Sequence, residues 1–358
     1  MPRVRLKTLD KSGLSAWIES IGEKPFRSRQ LWSWMYRKAA SSFEAMTDLS
    51  MAFRRKLADS AELDALALVR ETDSERTGTR KFLWECADGM RIETVFIPEA
   101  DRKTICVSSQ AGCGLGCAFC ATGGMGFGRN LESWEIVEQV LGACRRTGIR
   151  PTNIVVMGMG EPFLNYENVM RALAVISDPE GIAIGRRRIT VSTSGILPGI
   201  KRYTREDQPY KLAISLNATT EPVRSRIMPV NRKYPLADLL AEARTYSRKS
   251  GRRVTFEYVL IRDVNDSMED AARLLKLLKN LACKVNLIPF NPGAGGFQRP
   301  DDGRVAAFLE AIKPLKSPVI VRMSRGTDIS AACGQLTALN PKKMNRPRQG
   351  GHSKLYSA

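Results

Sequence analysis

The spacing of apolar positions changes three times along the chain. In the first 60 residues it is helical: Leu14, Trp17, Ile18 and Ile21 recur three and four apart. Residues 63–69, 80–86 and 90–97 read instead as strands, with Asp88-Gly89 as a turn signal between the last two and Pro98 closing the run. From residue 104 apolar strand-like runs take turns with helical ones. The strand-like runs are 104–108, 153–157, 188–193, 211–216, 253–260, 284–289 and 318–323. The helical runs are 133–146, 166–177, 235–249, 267–280 and 304–313. Such alternation predicts a parallel sheet covered by helices. Six or seven units are too few for an eight-fold barrel, so an α/β fold with an open or partial barrel is expected, its chemistry gathered at the carboxyl ends of the strands. The organisation predicted is a helical N-terminal domain over 1–60, a β-rich connector over 61–98, a barrel core over 99–336 and a basic tail over 337–358. No short solenoid repeat is present.

Composition adds little until charge is counted. Hydrophobic residues are 43% and charged residues 26% of the 358, as in ordinary globular proteins. No apolar run approaches the roughly 20 residues that span a bilayer. The basic start from Met1 to Asp10 has no apolar segment after it, so no signal peptide is expected and the cytoplasm is the predicted location. Against 37 acidic residues stand 56 Lys and Arg, a formal charge of +19. That excess attracts polyanions, nucleic acid first and an acidic membrane surface second. The stretch from Lys24 to Lys38 mixes cations with aromatics. It fits a nucleic-acid surface, and it equally fits a small helical core of Trp32, Met35 and Tyr36 with the charges solvated.

Histidine is almost absent. The single one, His352, lies in the polar tail, which argues against Ser–His or Cys–His nucleophilic catalysis and against the common His-containing zinc sites. Eight cysteines in a reducing compartment point to metal binding or redox chemistry. Three of them, Cys113, Cys117 and Cys120, form a C-x3-C-x2-C run in a glycine-rich loop after the first barrel strand. Three thiolates so close converge on something. A structural zinc takes four ligands, and no fourth is nearby. Iron–sulfur clusters take cysteine thiolates, normally four, so three would leave one iron open to a substrate.

This motif, with an aromatic residue before its last cysteine, resembles the radical SAM superfamily, in which the open iron chelates S-adenosylmethionine (SAM). Further stretches sharpen the resemblance. They are Cys106-Val107-Ser108-Ser109-Gln110, Gly158-Met159-Gly160-Glu161-Pro162, Ser192-Thr193-Ser194-Gly195, Ser215-Leu216-Asn217-Ala218, Asn286 to Pro292 and Asp328 to Leu336. In this order, over nearly the whole chain, they resemble the adenine-methylating radical SAM enzymes of the RlmN and Cfr type. The fold implied is a partial (β/α)6-type radical SAM barrel.

The resemblance also implies roles. Cys113, Cys117 and Cys120 would hold a [4Fe-4S] cluster. Gly160, Glu161, Ser192, Ser215, Leu216, Asn217 and Asn291 match SAM-contacting positions, although Asn217 stands where other members carry His. Carbons 2 and 8 of adenine are poor nucleophiles, so a radical route is needed. One SAM would methylate Cys333, and a second would supply a deoxyadenosyl radical that takes hydrogen from that methyl group. The carbon radical would add to the adenine, with Glu93 as proton acceptor. Cys106 would resolve the thioether adduct through a transient Cys106–Cys333 disulfide. The RlmN type acts on carbon 2 of an adenine in 23S ribosomal RNA, and often on the adenine beside the tRNA anticodon. The Cfr type acts on carbon 8. The more widespread RlmN type is the expectation here, with RNA as partner, an electron donor such as a flavodoxin or ferredoxin, and no membrane. A non-catalytic RNA-binding protein with a zinc-stabilised loop would explain the charge and the cysteine trio, but it leaves Cys106 and Cys333 without a purpose. Cys86, Cys144 and Cys283 read as small packing residues.

Overall fold

The structure, a computed structural model, describes residues 3–293 and 295–338. The predicted basic tail, with His352, lies outside the described residues apart from its first two positions.

The N-terminal helices form because each start is capped. Asp10 accepts the Gly13 N–H at 2.7 Å to open α1 (Lys11–Ser20), and Ser50 accepts from Phe53 to open α3 (Met51–Ser60). Between them α2 (Phe26–Trp32) runs on into a π-type turn over Ser33–Arg37. Trp32, Met35 and Tyr36 are all buried, and the Trp32 and Tyr36 rings meet edge-on at 4.5 Å. The aromatics of the basic stretch therefore fill the core, while Lys24, Arg29, Arg37 and Lys38 stay exposed. A two-residue strand, β1 (Val4–Arg5), pairs in parallel with β2 (Ala61–Glu62). Lys7 then ties this unit to the barrel through a buried ion pair with Glu138 at 2.6 Å.

A single ten-stranded sheet dominates the rest, ordered β14-β13-β12-β11-β10-β9-β6-β5-β4-β3. Its parallel part is β6 (Lys103–Val107), β9 (Asn153–Val156), β10 (Ile189–Thr193), β11 (Lys211–Ser215), β12 (Val254–Leu260), β13 (Cys283–Pro289) and the short β14 (Val319–Val321). Helices α5 (Ser133–Thr147), α6 (Tyr166–Ser177), α7 (Leu197–Arg205), α8 (Glu221–Ile227), α9 (Leu236–Ser250), α10 (Met268–Leu278) and α11 (Asp302–Ile312) connect the strands. A separate hairpin, β7 (Gln110–Cys113) with β8 (Gly126–Asn130), holds the short α4 (Ala121–Met125) between its arms. Among the described residues no helix is long and apolar enough to cross a membrane.

The three connector strands continue this sheet. β3 (Ala67–Asp73), β4 (Arg80–Glu85) and β5 (Arg91–Pro98) pair antiparallel with one another, and β5 pairs with β6. The expected strand over 63–69 instead begins at Ala67 and runs to Asp73. Asp64 faces the N-terminal unit, accepting from Arg5 and Lys7, which takes residues 63–66 out of the ladder. Arg70, Glu71, Thr72 and Asp73 continue the strand because it is an edge, where polar side chains meet water.

Helix α7 escaped the periodic pattern because Leu197-Pro198-Gly199 reads as a loop. Pro in a first turn costs no hydrogen bond. Gly199 is there for space, since a Cβ would stand 2.6 Å from the Phe163 side chain. A similar squeeze holds α5 to the antiparallel strands. Trp84 lies over Gly142, where a Cβ would come within 2.8 Å of the indole, and the Trp84 N–H donates to Thr94 Oγ1, which donates on to Gln139. Gly142→Ala should therefore destabilise by about 1–2 kcal/mol, overpacking outweighing the gain in helix propensity. Thermal melting would show a drop of a few degrees, whereas Gly185→Ala, with no atom near the added methyl, should be neutral.

Candidate active site

At the carboxyl ends of the parallel strands lies a cleft of about 1000 Å³, counting its open mouth. Cys113, Cys117 and Cys120 line one side of it, and Cys333 lines it as well. The cysteine motif does not hang directly from β6, as its position in the sequence suggested, but from the β7–β8 hairpin. Gly112 and Gly116 adopt φ of 80° and 64°, which lets the backbone curl around the three sulfurs. The Ala118 N–H donates to Ile227 O at 2.9 Å and the Cys120 N–H to Cys117 O at 3.1 Å, fixing the loop.

Cys113 is buried, while Cys117 and Cys120 are half-buried and open to the cleft. Burial pushes the Cys113 thiol up to about 12, and burial raises Cys117 well above the ordinary thiol range, with Cys120 and Cys113 adding to the rise. Three close sulfurs that repel one another's charge call for a bound cation. Among the described residues, no three His, Cys, Asp or Glu side chains converge on one metal ion. An iron–sulfur cluster takes cysteine thiolates, and these three would hold one.

Opposite the thiols, Glu161 joins two strand-end loops. Its Oε1 accepts from the Phe163 N–H at 3.1 Å and its Oε2 from the Ser194 N–H at 2.7 Å. Its own N–H donates to Gln110 Oε1, and burial raises its carboxyl. Gly160, at φ 99°, passes so close to Gln110 that a Cβ would meet its backbone nitrogen at 2.7 Å. Ser192 donates to Glu257 Oε2 at 3.0 Å. Asn217 holds a positive φ of 55°, and its side-chain oxygen accepts the Val259 N–H at 2.9 Å. Asparagine is among the few residues that tolerate that backbone, and here its amide also ties β11 to β12. Gly160, Glu161, Ser192, Ser215, Asn217 and Asn291 line the cleft; Leu216 is fully buried and does not.

Arg224, a residue that sequence reasoning passed over, underlies this wall. It is completely buried and donates to the carbonyls of Leu216 (3.0 Å), Ser194 (2.8 Å) and Ser215 (3.1 Å) and to Asn231 Oδ1 (2.8 Å). One guanidinium thus knots the loops after β10 and β11. Its charge also opposes the rise of the Cys117 thiol. The signal was a cation three residues before Ile227 on the apolar side of a short helix.

Cys333 sits on a loop held from two sides. On the cluster side, the Ala121 N–H donates to Gly334 O (2.7 Å), Thr122 Oγ1 to Leu336 O (2.8 Å) and Asn291 Nδ2 to Cys333 O (3.2 Å). On the other side stand the antiparallel strands. Cross-strand register puts Lys81, Val95 and Cys106 in one row, with Leu83 opposite Glu93 in the next, all on one face of the sheet. Glu93 Oε2 accepts the Thr337 N–H at 2.8 Å. Neither Glu93 nor Cys106 lines the cleft; both lie behind the loop, buried. Burial pushes Cys106 up to about 12, and the Cys333 thiol adds to that rise. Cys333 is raised too, by burial and then by Glu257. Its surface is exposed only in the sense that it faces a concave, crowded cleft. All eight cysteines are free thiols, Cys86 and Cys283 buried and Cys144 half-buried away from the cleft.

Two families of known proteins match. The Ribosomal RNA large subunit methyltransferase N-terminal domain matches residues 4–63, and the Radical SAM superfamily matches residues 107–275. A Dual-specificity RNA methyltransferase RlmN of Anaeromyxobacter dehalogenans is 48% identical over 93% of this chain and 91% of its own length. That of Syntrophobacter fumaroxidans is 46% identical over 94% and 99%. The crystal structure of a radical SAM methyltransferase from Sphaerobacter thermophilus, 48% identical, superposes with a TM-score of 0.90 over 94% of this chain and 100% of that one.

Two expectations follow from the geometry. Arg224→Met takes the donor from four acceptors, two buried and two half-buried, and should cost about 3 kcal/mol or more, read by urea melting, with weakened iron uptake on reconstitution. Because the Cys333 thiol is raised, its alkylation by iodoacetamide in the unloaded protein should still be climbing about tenfold per pH unit near pH 9. Peptide mass mapping would follow it, and a plateau below pH 8 would contradict the raised thiol.

Proposed function

We infer, since this chain belongs to the RlmN family of radical SAM RNA methyltransferases, that it methylates carbon 2 of an adenine in 23S ribosomal RNA and of the adenine beside the tRNA anticodon. The observation that carries the reading is the single cleft lined by the three motif cysteines together with Cys333. A [4Fe-4S] cluster and SAM, when bound, supply the methyl group and the radical that an unreactive aromatic C–H requires.

The chain's own residues divide the rest. Cys113, Cys117 and Cys120 hold the cluster; Gly160, Glu161, Ser192, Ser215, Asn217 and Asn291 hold SAM, with Leu216 shaping the loop from beneath. Cys333 Sγ receives a methyl group and presents its carbon to the adenine. Glu93 takes the proton from carbon 2, and the unpaired electron of the adduct would return to the cluster, which supplies one-electron chemistry when bound. Cys106 Sγ attacks Cys333 Sγ, the S–S bond forms as the S–C bond breaks, and the electron pair left on the product carbon takes up a proton to complete the new methyl group. A dithiol reductant then reopens the disulfide. The raised Cys106 thiol suits a residue that stays protonated until Cys333 is loaded.

The exposed cations over Lys24 to Lys38 support a phosphate-contacting role for the helical N-terminal domain. The target base must be reachable, so an unstacked loop adenine is favoured over duplex. A cytoplasmic enzyme served by an acidic electron donor such as a flavodoxin or ferredoxin fits the basic charge.

Cys106→Ala should accumulate a protein–RNA adduct, visible as a shifted band on a denaturing gel, and yield no free product. A clean gel would reject the resolving role. Digestion of RNA treated with the wild-type enzyme should give 2-methyladenosine, and 8-methyladenosine as sole product would reject the choice of carbon.

A further inference from the structure

Ion pairs in this molecule are mostly at the surface, with one side chain or both well exposed. Among the described residues only two have both side chains at 13% exposed or less. Lys7–Glu138 joins the N-terminal unit to α5. The other is Lys81–Glu93, with Lys81 Nζ 3.1 Å from Glu93 Oε1. Taking two charges out of water costs several kcal/mol each before their attraction returns any of it, so a buried pair is weak support for stability as such. An apolar pair at these two neighbouring positions would fold as well, which directs attention to what the charges do.

The setting of Lys81 is specific. Its neighbour Arg80 faces outward, meeting Glu71 and Asp73 near the surface. Strand alternation turns Lys81 to the opposite face, in the row that holds Val95 and Cys106. There its ammonium makes two contacts, with Glu93 Oε1 and with Ser330 O, also at 3.1 Å. Ser330 ends the short 3-10 turn Thr327–Ile329 that leads to Cys333. Glu93 Oε2 meanwhile holds the Thr337 N–H, beyond Cys333 on the same loop. The loop that carries Cys333 is therefore bracketed by one lysine–carboxylate pair, before and after the sulfur. Among the described residues, Lys81 and the Thr337 N–H each take one oxygen of the Glu93 carboxylate.

We propose that Lys81 is a positioning residue for RNA methylation, holding the Glu93 carboxylate aimed so that it can take the proton from the substrate carbon. The proposal rests on the reading of Glu93 as proton acceptor. In the step concerned the carbon–hydrogen bond of the adduct breaks, its proton bonds to a Glu93 oxygen and its electron pair stays with the ring, while the unpaired electron of the adduct would leave to the [4Fe-4S] cluster, the one-electron acceptor that the cofactor supplies when bound. Lys81 fixes one oxygen of that carboxylate, and its second bond to Ser330 O couples it to the loop that brings the substrate carbon.

The test separates the two halves of the reaction. Methylation of Cys333 needs no base at the RNA, whereas RNA product does. In Lys81→Met, peptide mass spectrometry should find Cys333 methylated within about twofold of wild type, while 2-methyladenosine falls about 100-fold, the lower end for loss of a general base, and the protein–RNA adduct persists. Lys81→Arg, which keeps the charge, should recover most of the product. Wild-type product from Lys81→Met, loss of Cys333 methylation in parallel with product, or an Arg variant as poor as the Met variant would each overturn the proposal. Glu93→Gln is read separately. Normal product there removes the reading of Glu93 itself, whereas a dead Glu93→Gln beside a fully active Lys81→Met removes only Lys81.

Discussion

In the reaction proposed above, one sulfur has to be reachable from two directions, and the rest of the site follows from that constraint. Cys333 must face the cleft lined by the three motif cysteines, and it must also lie against the sheet face that carries Cys106 and Glu93. A free loop would lose this arrangement to conformational entropy. Here hydrogen bonds from Ala121, Thr122 and Asn291 hold the loop on the cluster side, and Glu93 and Lys81 hold it on the sheet side. Gln335 adds a bond to Pro292 O at 2.7 Å, and Ser74 meets Asp328 at 3.0 Å. The loop spans the seam between the parallel barrel strands and their antiparallel extension.

This gives the antiparallel strands a purpose beyond covering an edge. Strand β6 belongs to both parts of the sheet, parallel to β9 on one side and antiparallel to β5 on the other. Cys106 lies on that shared strand. A one-residue slip between β5 and β6 would turn it away from Cys333. The register is secured on the far face, where Ser108, Gln139, Thr94 and Trp84 form a closed buried chain of hydrogen bonds. A network that is fully paired in a low-dielectric interior specifies one alignment. The chemistry on one face is thus aligned by polar packing on the other.

Much of this was legible from residue order. The βα alternation from residue 104 appears as expected, and 166–177 is a helix at both of its predicted ends. The motif cysteines and Cys333 share one cleft, as the resemblance implied. What stayed hidden was whatever depends on contacts distant in sequence. Residues 63–66 look like strand but answer to Arg5 and Lys7. Arg224 looks like a surface cation among others until the fold buries it among four acceptors. Lys81 sits beside Arg80 in an unremarkable basic pair, and only strand register sends one outward and the other to the site. Leu216 matches a SAM-contacting position by resemblance; its neighbours Ser215 and Asn217 line the cleft, while alternation along the strand end turns its own side chain into the core.

The account stands on the closeness of Cys106 and Cys333 across the loop. Mild oxidation of the cluster-free protein, with non-reducing digestion and mass mapping of every cysteine peptide, measures that most directly. A Cys106–Cys333 disulfide as the main crosslink is the expected result. Cys333 linked chiefly to Cys113, Cys117 or Cys120, with Cys106 left as a free thiol, would contradict it.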